Sequence, residues 1–196
     1  TMLQDMQKNF EIKKIKRSAC KMKEPHSHPF HELFYLAKGE CTAFLSHNIY
    51  KFSKGDIVIV PAGTIHKTDY TGKGINERIV ISFKTSVTDW LSNVVGTDIV
   101  SDVMQTGVIT IPEKRRDYIE KLLDKLIFEN EGQDPLSPGF VSVALAELIL
   151  FITRCKQYEE NVIKEIDVDN QIMQEVATYI YLSLIHISEP TRLALI

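Results

Sequence analysis

The chain has 196 residues, of which 44% are hydrophobic and 25% charged, a globular composition that excludes wholesale disorder. Its 23 Lys and Arg residues against 26 Asp and Glu give a net charge of −3. This balance excludes a general electrostatic surface for nucleic acid or an anionic membrane.

Three scattered cysteines, Cys20, Cys41 and Cys155, indicate a reducing compartment without a disulfide framework. No signal-peptide pattern is present at the start, and the apolar run from Val143 to Ile152 is too short to span a bilayer. We therefore expect a soluble, cytoplasmic protein with no membrane partner.

Residues 1–24 predict a polar, basic N-terminal arm, and residues 25–86 predict a β-domain. Short runs of branched and aromatic residues alternate with turn residues every eight to twelve positions, which is typical of a sandwich or barrel. The predicted strands are Leu33–Ala37, Cys41–Leu45, Ile49–Phe52, Ile57–Val60 and Arg78–Phe83.

Residues 87–166 predict a helical segment. An apolar stripe runs through 113–129, with Pro112 at its start, and 140–155 is apolar almost all round. The second helix must be covered by the rest of the chain or by another subunit, and its composition favours a homodimer interface. The residues that we expect in that interface are Tyr118, Leu122, Leu126, Leu145, Leu148, Ile149 and Ile152.

Residues 167–181 predict the start of a further helix, capped by Asp169. The following stretch, Leu182 to Arg192, resembles the in-frame translation of a transposase adapter used to build sequencing libraries. We therefore expect residues 182–196 to be non-native and the natural product to continue differently after Tyr181. The alternative is an ordinary native C-terminus.

A cluster of histidines is the most informative feature of the sequence. On an extended segment His26 and His28 share a face because side chains alternate with a period of two, and Glu32 keeps that parity. If His66 arrives from a neighbouring strand end, three imidazoles and one carboxylate converge, a ligand set that suits a divalent transition metal. The same four residues could instead hydrogen-bond an organic ligand.

Two apolar residues follow Glu32 with the same parity. Phe34 and Leu36 are expected to form the apolar wall of the same effector-binding cavity, with plain core packing as the alternative.

The spacings H-x-H-x3-E-x6-G and G-x5-P-x-G-x2-H resemble the two motifs of the cupin superfamily over residues 26–70. The resemblance implies a jelly-roll β-barrel and assigns metal binding to His26, His28, Glu32 and His66. Two positions depart from the usual pattern, because Cys20 stands where a glycine is common and Tyr70 where an asparagine is common.

The flanking stretches 31–39, 54–61 and 76–83, together with the order of barrel, helices and helix start, resemble the sensor domain of AraC-type transcription regulators. The resemblance implies a homodimer that binds a small-molecule effector, most often a sugar, and that contacts DNA only through a C-terminal helix-turn-helix domain. It implies no catalytic residues. The alternative is a stand-alone metal-dependent cupin enzyme, such as an isomerase, lyase or dioxygenase.

Overall fold

The computed structural model describes residues 5, 8–22, 24–71, 73–132, 134–158 and 176. Within these residues the chain forms nine strands and four helices. The strands are β1 (Phe10–Arg17), β2 (Cys20–Lys21), β3 (His31–Lys38), β4 (Glu40–Leu45), β5 (Asn48–Ser53), β6 (Asp56–Val60), β7 (His66–Tyr70), β8 (Asn76–Phe83) and β9 (Gly107–Thr110). The helices are α1 (Thr85–Val95), α2 (Thr97–Val103), α3 (Glu113–Glu131) and α4 (Ser137–Tyr158).

The strands pair in two antiparallel sheets. One has the order β1-β8-β3-β6-β9, and the other has the order β2-β7-β4-β5. An apolar cluster fills the space between them, and the helices follow the barrel in the chain. The predicted fold class, a jelly-roll β-barrel followed by helices, is confirmed.

The central strands of the five-stranded sheet, β8, β3 and β6, are buried on both faces. On β3, Phe34 and Leu36 belong to the cluster between the sheets, whereas Leu33 and Tyr35 belong to a larger cluster shared with the helices. A strand covered on both faces needs apolar residues at consecutive positions, which explains why β3, β6 and β8 read as nearly continuous hydrophobic runs.

The structure places much of the expected N-terminal arm in the barrel. Strand β1 pairs with β8 along its whole length, from Phe10 opposite Phe83 to Arg17 opposite Asn76. Only Phe10 and Ile12 of β1 are buried, because the strand lies at the sheet edge and exposes most of its side chains. The boundary expected at residues 24 and 25 therefore does not separate the arm from the barrel. Likewise, β9 joins the sheet from within the segment expected to be helical.

The two long helices lie where the sequence predicts them: α3 begins at the predicted residue and ends two residues later than predicted, and α4 extends three residues beyond the predicted range at each end. The expected dimer-interface residues require correction, because six of the seven are 0–6% exposed within this chain's own core: Leu122, Leu126, Leu145, Leu148, Ile149 and Ile152. The buried side of α4 is covered by α1, α2, α3 and β9, whereas Phe140, Val143 and Leu150 of the same helix are exposed. Of the set, Tyr118 is exposed.

Helix α4 also meets the length and hydropathy criteria for a membrane-spanning helix. Residues Ser137–Gln157 are long and apolar enough to cross a membrane by these two criteria alone, yet 67% of the apolar window is buried inside the protein. The core helix of a globular domain meets the same criteria.

The predictions for residues 167–181 and 182–196 lie outside the described residues, apart from the single position Val176.

Candidate metal and ligand site

The three predicted histidines meet at one end of the barrel. His26 and His66 form an isolated antiparallel bridge, in which each backbone N–H donates to the other residue's carbonyl, at 3.0 and 2.9 Å. The turn before β7 brings His66 into place: Gly63 donates its N–H to the His28 carbonyl at 2.8 Å and has φ of +80°, a backbone conformation that favours glycine. The glycine of the second sequence motif is thus explained by this turn.

The imidazoles of the three residues lie close together. Ring centroids are separated by 4.3 Å between His26 and His66, 4.8 Å between His28 and His66, and 5.9 Å between His26 and His28. One ring nitrogen from each lies within 4.8 Å of the other two. His26 is exposed and His66 is buried, so the cluster extends from the surface into the barrel.

Glu32 lies between two of these imidazoles. Its Oε2 is 3.5 Å from Nε2 of His28 and 3.5 Å from Nε2 of His66. The Glu32 carboxylate therefore lies beside the Nε2 atom of both imidazoles. All four residues predicted from the motif spacing are brought together.

Backbone carbonyls fix the orientation of two imidazoles. Nδ1–H of His28 donates to the Phe30 carbonyl at 2.8 Å, and Nδ1–H of His66 donates to the Thr64 carbonyl at 2.9 Å. A carbonyl only accepts, so Nδ1 carries a proton in both rings, and in the neutral form the Nε2 lone pair faces Glu32 and the cluster. This is the supporting arrangement that metal-binding histidines require.

The surroundings shift the pKa values of the cluster. Burial disfavours both the Glu32 carboxylate and the His66 imidazolium. For Glu32 the His66 hydrogen bond and the charge of Arg78 outweigh burial, so its pKa lies below the usual value. For His66 the hydrogen bonds to Glu32 and Thr64 outweigh burial and raise the pKa. Burial, then the neighbouring imidazoles, lowers the pKa of His26.

The donor set fits a divalent transition metal. His26, His28 and His66 would supply imidazole nitrogens and Glu32 a carboxylate oxygen, a combination that suits zinc, iron, nickel, copper or manganese. A bound ion would supply Lewis-acid chemistry or a fixed positive charge that orients a ligand. The protein's own contribution is the orientation of Nε2 described above.

The two predicted apolar wall residues lie deeper in the barrel than Glu32. Phe34 and Leu36 are 1% and 0% exposed and belong to the cluster between the sheets, where Phe34 packs against Phe52 with ring centroids 5.4 Å apart. Their part in effector binding stays a prediction. His31, the histidine of opposite parity, accepts a hydrogen bond from the Ala62 N–H at 3.2 Å and stacks on Phe83, so it supports the turn rather than the cluster.

Sequence reasoning missed Arg78 as a site residue. Its guanidinium lies 5.2 Å from the ring centroid of Phe34 and 5.3 Å from that of Tyr70. Both rings belong to the cluster between the sheets. The sequence carries one indication of this position. Arg78 lies two residues before Val80, so both side chains point to the barrel-facing side of β8. The run Arg78–Phe83 otherwise has the pattern of an apolar strand that begins with a charged residue.

Comparison with protein families finds that residues 19–82 match the family described as "Cupin domain". The chain is similar to apo ToxT from Vibrio cholerae strain SCE256, with 11% identity, a TM-score of 0.57, and coverage of 88% of this chain and 64% of ToxT. It is also similar to a cupin family protein with a double-stranded β-helix fold from Methanocaldococcus jannaschii, with 21% identity, a TM-score of 0.36, and coverage of 40% of this chain and 72% of the other.

The match to the SPY1581 protein from Streptococcus pyogenes has 17% identity and a TM-score of 0.35, and covers 39% of this chain. The chain spans less than two thirds of ToxT and of the SPY1581 protein, at 64% and 65% of their lengths. The comparison with curated proteins found no match. The barrel is thus a cupin double-stranded β-helix, followed by C-terminal helices.

Proposed function

We propose that this chain is the effector-sensing part of an AraC-type DNA-binding transcription regulator, and that a small molecule binds inside its cupin barrel. The observation that carries the proposal is the likeness to ToxT, an AraC-family regulator, over 88% of this chain, helices as well as barrel. By resemblance, a sugar-like effector is the first class to consider. The cluster of His26, His28, Glu32 and His66 marks the barrel end at which it enters.

The sheet offers a direct route from a barrel ligand to the helices. On β3, Glu32 contacts the histidine cluster, and Tyr35, on the opposite face, donates its hydroxyl to Glu120 of α3 at 2.8 Å. A ligand that binds one arrangement of β3 and α3 better than another shifts their equilibrium by its difference in affinity. In the intact regulator that shift would reposition DNA-binding helices on two half-sites.

Homodimerisation and DNA binding through a C-terminal domain are part of this proposal. The buried residues of α3 and α4 do not provide the dimer surface, but exposed Tyr118 lines an apolar groove with Val143 and Leu150. Light scattering of the chain at micromolar concentration tests the dimer. We expect twice the monomer mass, and a monomer would contradict this part of the proposal.

The experiment that tests the regulator proposal is to resequence the locus across the codon for Tyr181. We expect the reading frame to continue for about a hundred residues that contain two helix-turn-helix patterns. A stop codon within a few codons would contradict a DNA-binding role in this polypeptide.

A stand-alone metal-dependent cupin enzyme is the second candidate, and the three-histidine cluster beside Glu32 is the observation that favours it. Turnover that chelation abolishes, and that His28→Ala or His66→Ala also abolishes, would support the enzyme. A metal-free protein that still binds a small ligand in the barrel would contradict it. The matched control is His47→Ala, because His47 is exposed in the β4–β5 turn.

A further inference from the structure

An arginine lies within the apolar interior of the barrel. Arg78 pairs with Leu36 across β8 and β3, and its guanidinium lies over the ring of Phe34 and over the ring of Tyr70. The side chain is partly buried, and the two rings hold a planar cation between aromatic faces. Contacts with the ring faces hold the guanidinium in place, and they use none of its N–H donors.

Two polar groups at this position have no hydrogen-bond partner among the described residues. They are the buried Nε of Arg78 and the buried hydroxyl of Tyr70, a residue that is only 4% exposed. By contrast, Nε of Arg116 donates to the Ile111 carbonyl at 3.2 Å. A buried guanidinium Nε–H and a buried hydroxyl without partners each cost free energy, so their retention together indicates a ligand group that satisfies both.

Both groups are hydrogen-bond donors. A guanidinium has no acceptor, and burial raises the pKa of Tyr70 to about 12, so its hydroxyl keeps its proton at neutral pH. Burial also raises the pKa of the neighbouring Cys41 thiol to about 12. A group that satisfies both must therefore accept hydrogen bonds, and a negatively charged acceptor forms the stronger hydrogen bonds with a guanidinium.

The charge balance selects among anions. One guanidinium provides a single positive charge, and Glu32 already places a carboxylate in the same barrel. A monocarboxylate would therefore add one negative charge to this site and a dianionic phosphate two, so the monocarboxylate carries the smaller cost of burying negative charge. The planar fork of arginine also matches the two oxygens of a carboxylate.

We propose that Arg78 and Tyr70 bind the carboxylate of a small organic monocarboxylate, whose remaining atoms extend past Phe34 towards Glu32 and His66. The inference rests on the proposed function in taking this molecule as the effector. It narrows the expected ligand from any small molecule, or any sugar, to one that carries a single carboxylate, such as a sugar acid or another hydroxy acid.

The test measures binding to the full chain by thermal unfolding and calorimetry. The probes are acetate, propionate, benzoate and gluconate, each with its uncharged primary amide, and inorganic phosphate. We expect at least one carboxylate to raise Tm in a concentration-dependent way while its amide does not, because ligand that binds only the folded state stabilises it. No response to any carboxylate, an equal response to the amide, or a stronger response to phosphate would overturn the proposal.

Variants locate the binding. We expect Arg78→Met to lower carboxylate affinity by about tenfold or more, and Tyr70→Phe by a smaller factor of about three to ten. The control Arg154→Met removes an exposed arginine of α4 and should leave affinity unchanged. Unchanged affinity in Arg78→Met would overturn the proposal. If Arg78→Met fails to fold, Tyr70→Phe, which removes only an unpartnered hydroxyl, decides in the same way.

Failure of this inference differs from failure of the regulator proposal. A stop codon soon after Tyr181, with carboxylate binding that depends on Arg78, would remove the DNA-binding role and keep the ligand class. A continuous helix-turn-helix reading frame, with no carboxylate response, would keep the regulator and reject the ligand class.

Discussion

The two faces of the five-stranded sheet differ in kind. The face towards the helices carries mainly apolar side chains along β3 and β8, together with the hydrogen bond from Tyr35 to Glu120. The face towards the barrel interleaves Phe34 and Val80 with charged residues, Glu32 and Arg78. The same strands therefore supply stability on one face and ligand chemistry on the other, and the predictions below separate these roles.

The largest effect is expected on the helix-facing side. Leu148→Ala removes a side chain that is 1% exposed, and we expect the free energy of unfolding to fall by about 2 to 5 kcal/mol. Leu150→Ala, two residues along the same helix and 45% exposed, is the matched control and should cost less than about 1 kcal/mol. Urea denaturation measures both. Equal losses would contradict the assignment of Leu148 to the chain's own core.

The next effect concerns the histidine cluster. We expect the chain to bind added Zn²⁺ or Ni²⁺, and His66→Ala to weaken that binding by about 100-fold or more, since even loss of a supporting contact costs metal sites up to that factor. Calorimetric titration of the chelator-treated protein measures the affinity. His47→Ala is the control, and equal affinity in His66→Ala and the parent chain would show that the cluster is not a metal site.

A smaller, pH-dependent effect is expected from Glu32 and His66 in metal-free protein. The lowered pKa of Glu32 gives stability above its unfolded value near 4.5, and the raised pKa of His66 gives stability that is complete below its unfolded value of 6.5 and is lost as pH rises through the folded value. Glu32→Gln should therefore destabilise the chain most near pH 5 to 6, by about 1 to 2 kcal/mol, and less at pH 8.

The control for this pH profile is Glu77→Gln. Glu77 pairs with Lys14 at 2.8 Å and with Lys16 at 3.2 Å on the barrel exterior, and the hydrogen bond to Glu77 raises the pKa of Lys14 above its usual value, so this lysine stays charged from pH 5 to 8. Its effect on the free energy of unfolding should stay flat over that range. A Glu32→Gln effect that is equally flat would contradict the assigned coupling to His66.

The smallest effect on stability is expected from Tyr70 in the absence of ligand. Replacing an unpartnered buried hydroxyl with a hydrogen atom is neutral or mildly stabilising, so Tyr70→Phe should leave Tm unchanged or slightly raised. Differential scanning calorimetry without added anions measures this. A large fall in Tm for Tyr70→Phe would show that its hydroxyl has a structural role and would weaken the contrast between the two faces.

The difference between the two sheet faces also explains which strands the sequence could predict. Strands β3, β6 and β8 were predictable because burial on both faces makes them continuous apolar runs. Strand β7 was not predictable, since its buried positions are occupied by His66, Thr68 and Tyr70, whose side chains all carry polar groups. Strand β1 was missed because an edge strand with one covered face keeps few apolar residues among its lysines.

The candidate site shows a similar division. The four motif residues were predictable because metal-type ligands at fixed spacing carry their own signal, and the structure brings them together. The position of Arg78 inside the barrel was not predictable, because it depends on the register between β8 and β3. The helix residues assigned to a dimer failed for a physical reason: an all-apolar helix has the same composition whether its own chain or a partner covers it.

The pairing of β1 with β8 also affects the order of events during synthesis. A ribosome releases β1 before the other eight described strands, yet its partner in the sheet emerges only after β2 to β7 have been made. Until then Phe10 and Ile12, which are buried in the finished sheet, have no strand beside them. Strand β1 is therefore made before the other described strands but is among the last of them to be paired, so a nascent chain that stalls before residue 76 exposes an unpaired apolar edge to neighbouring polypeptides.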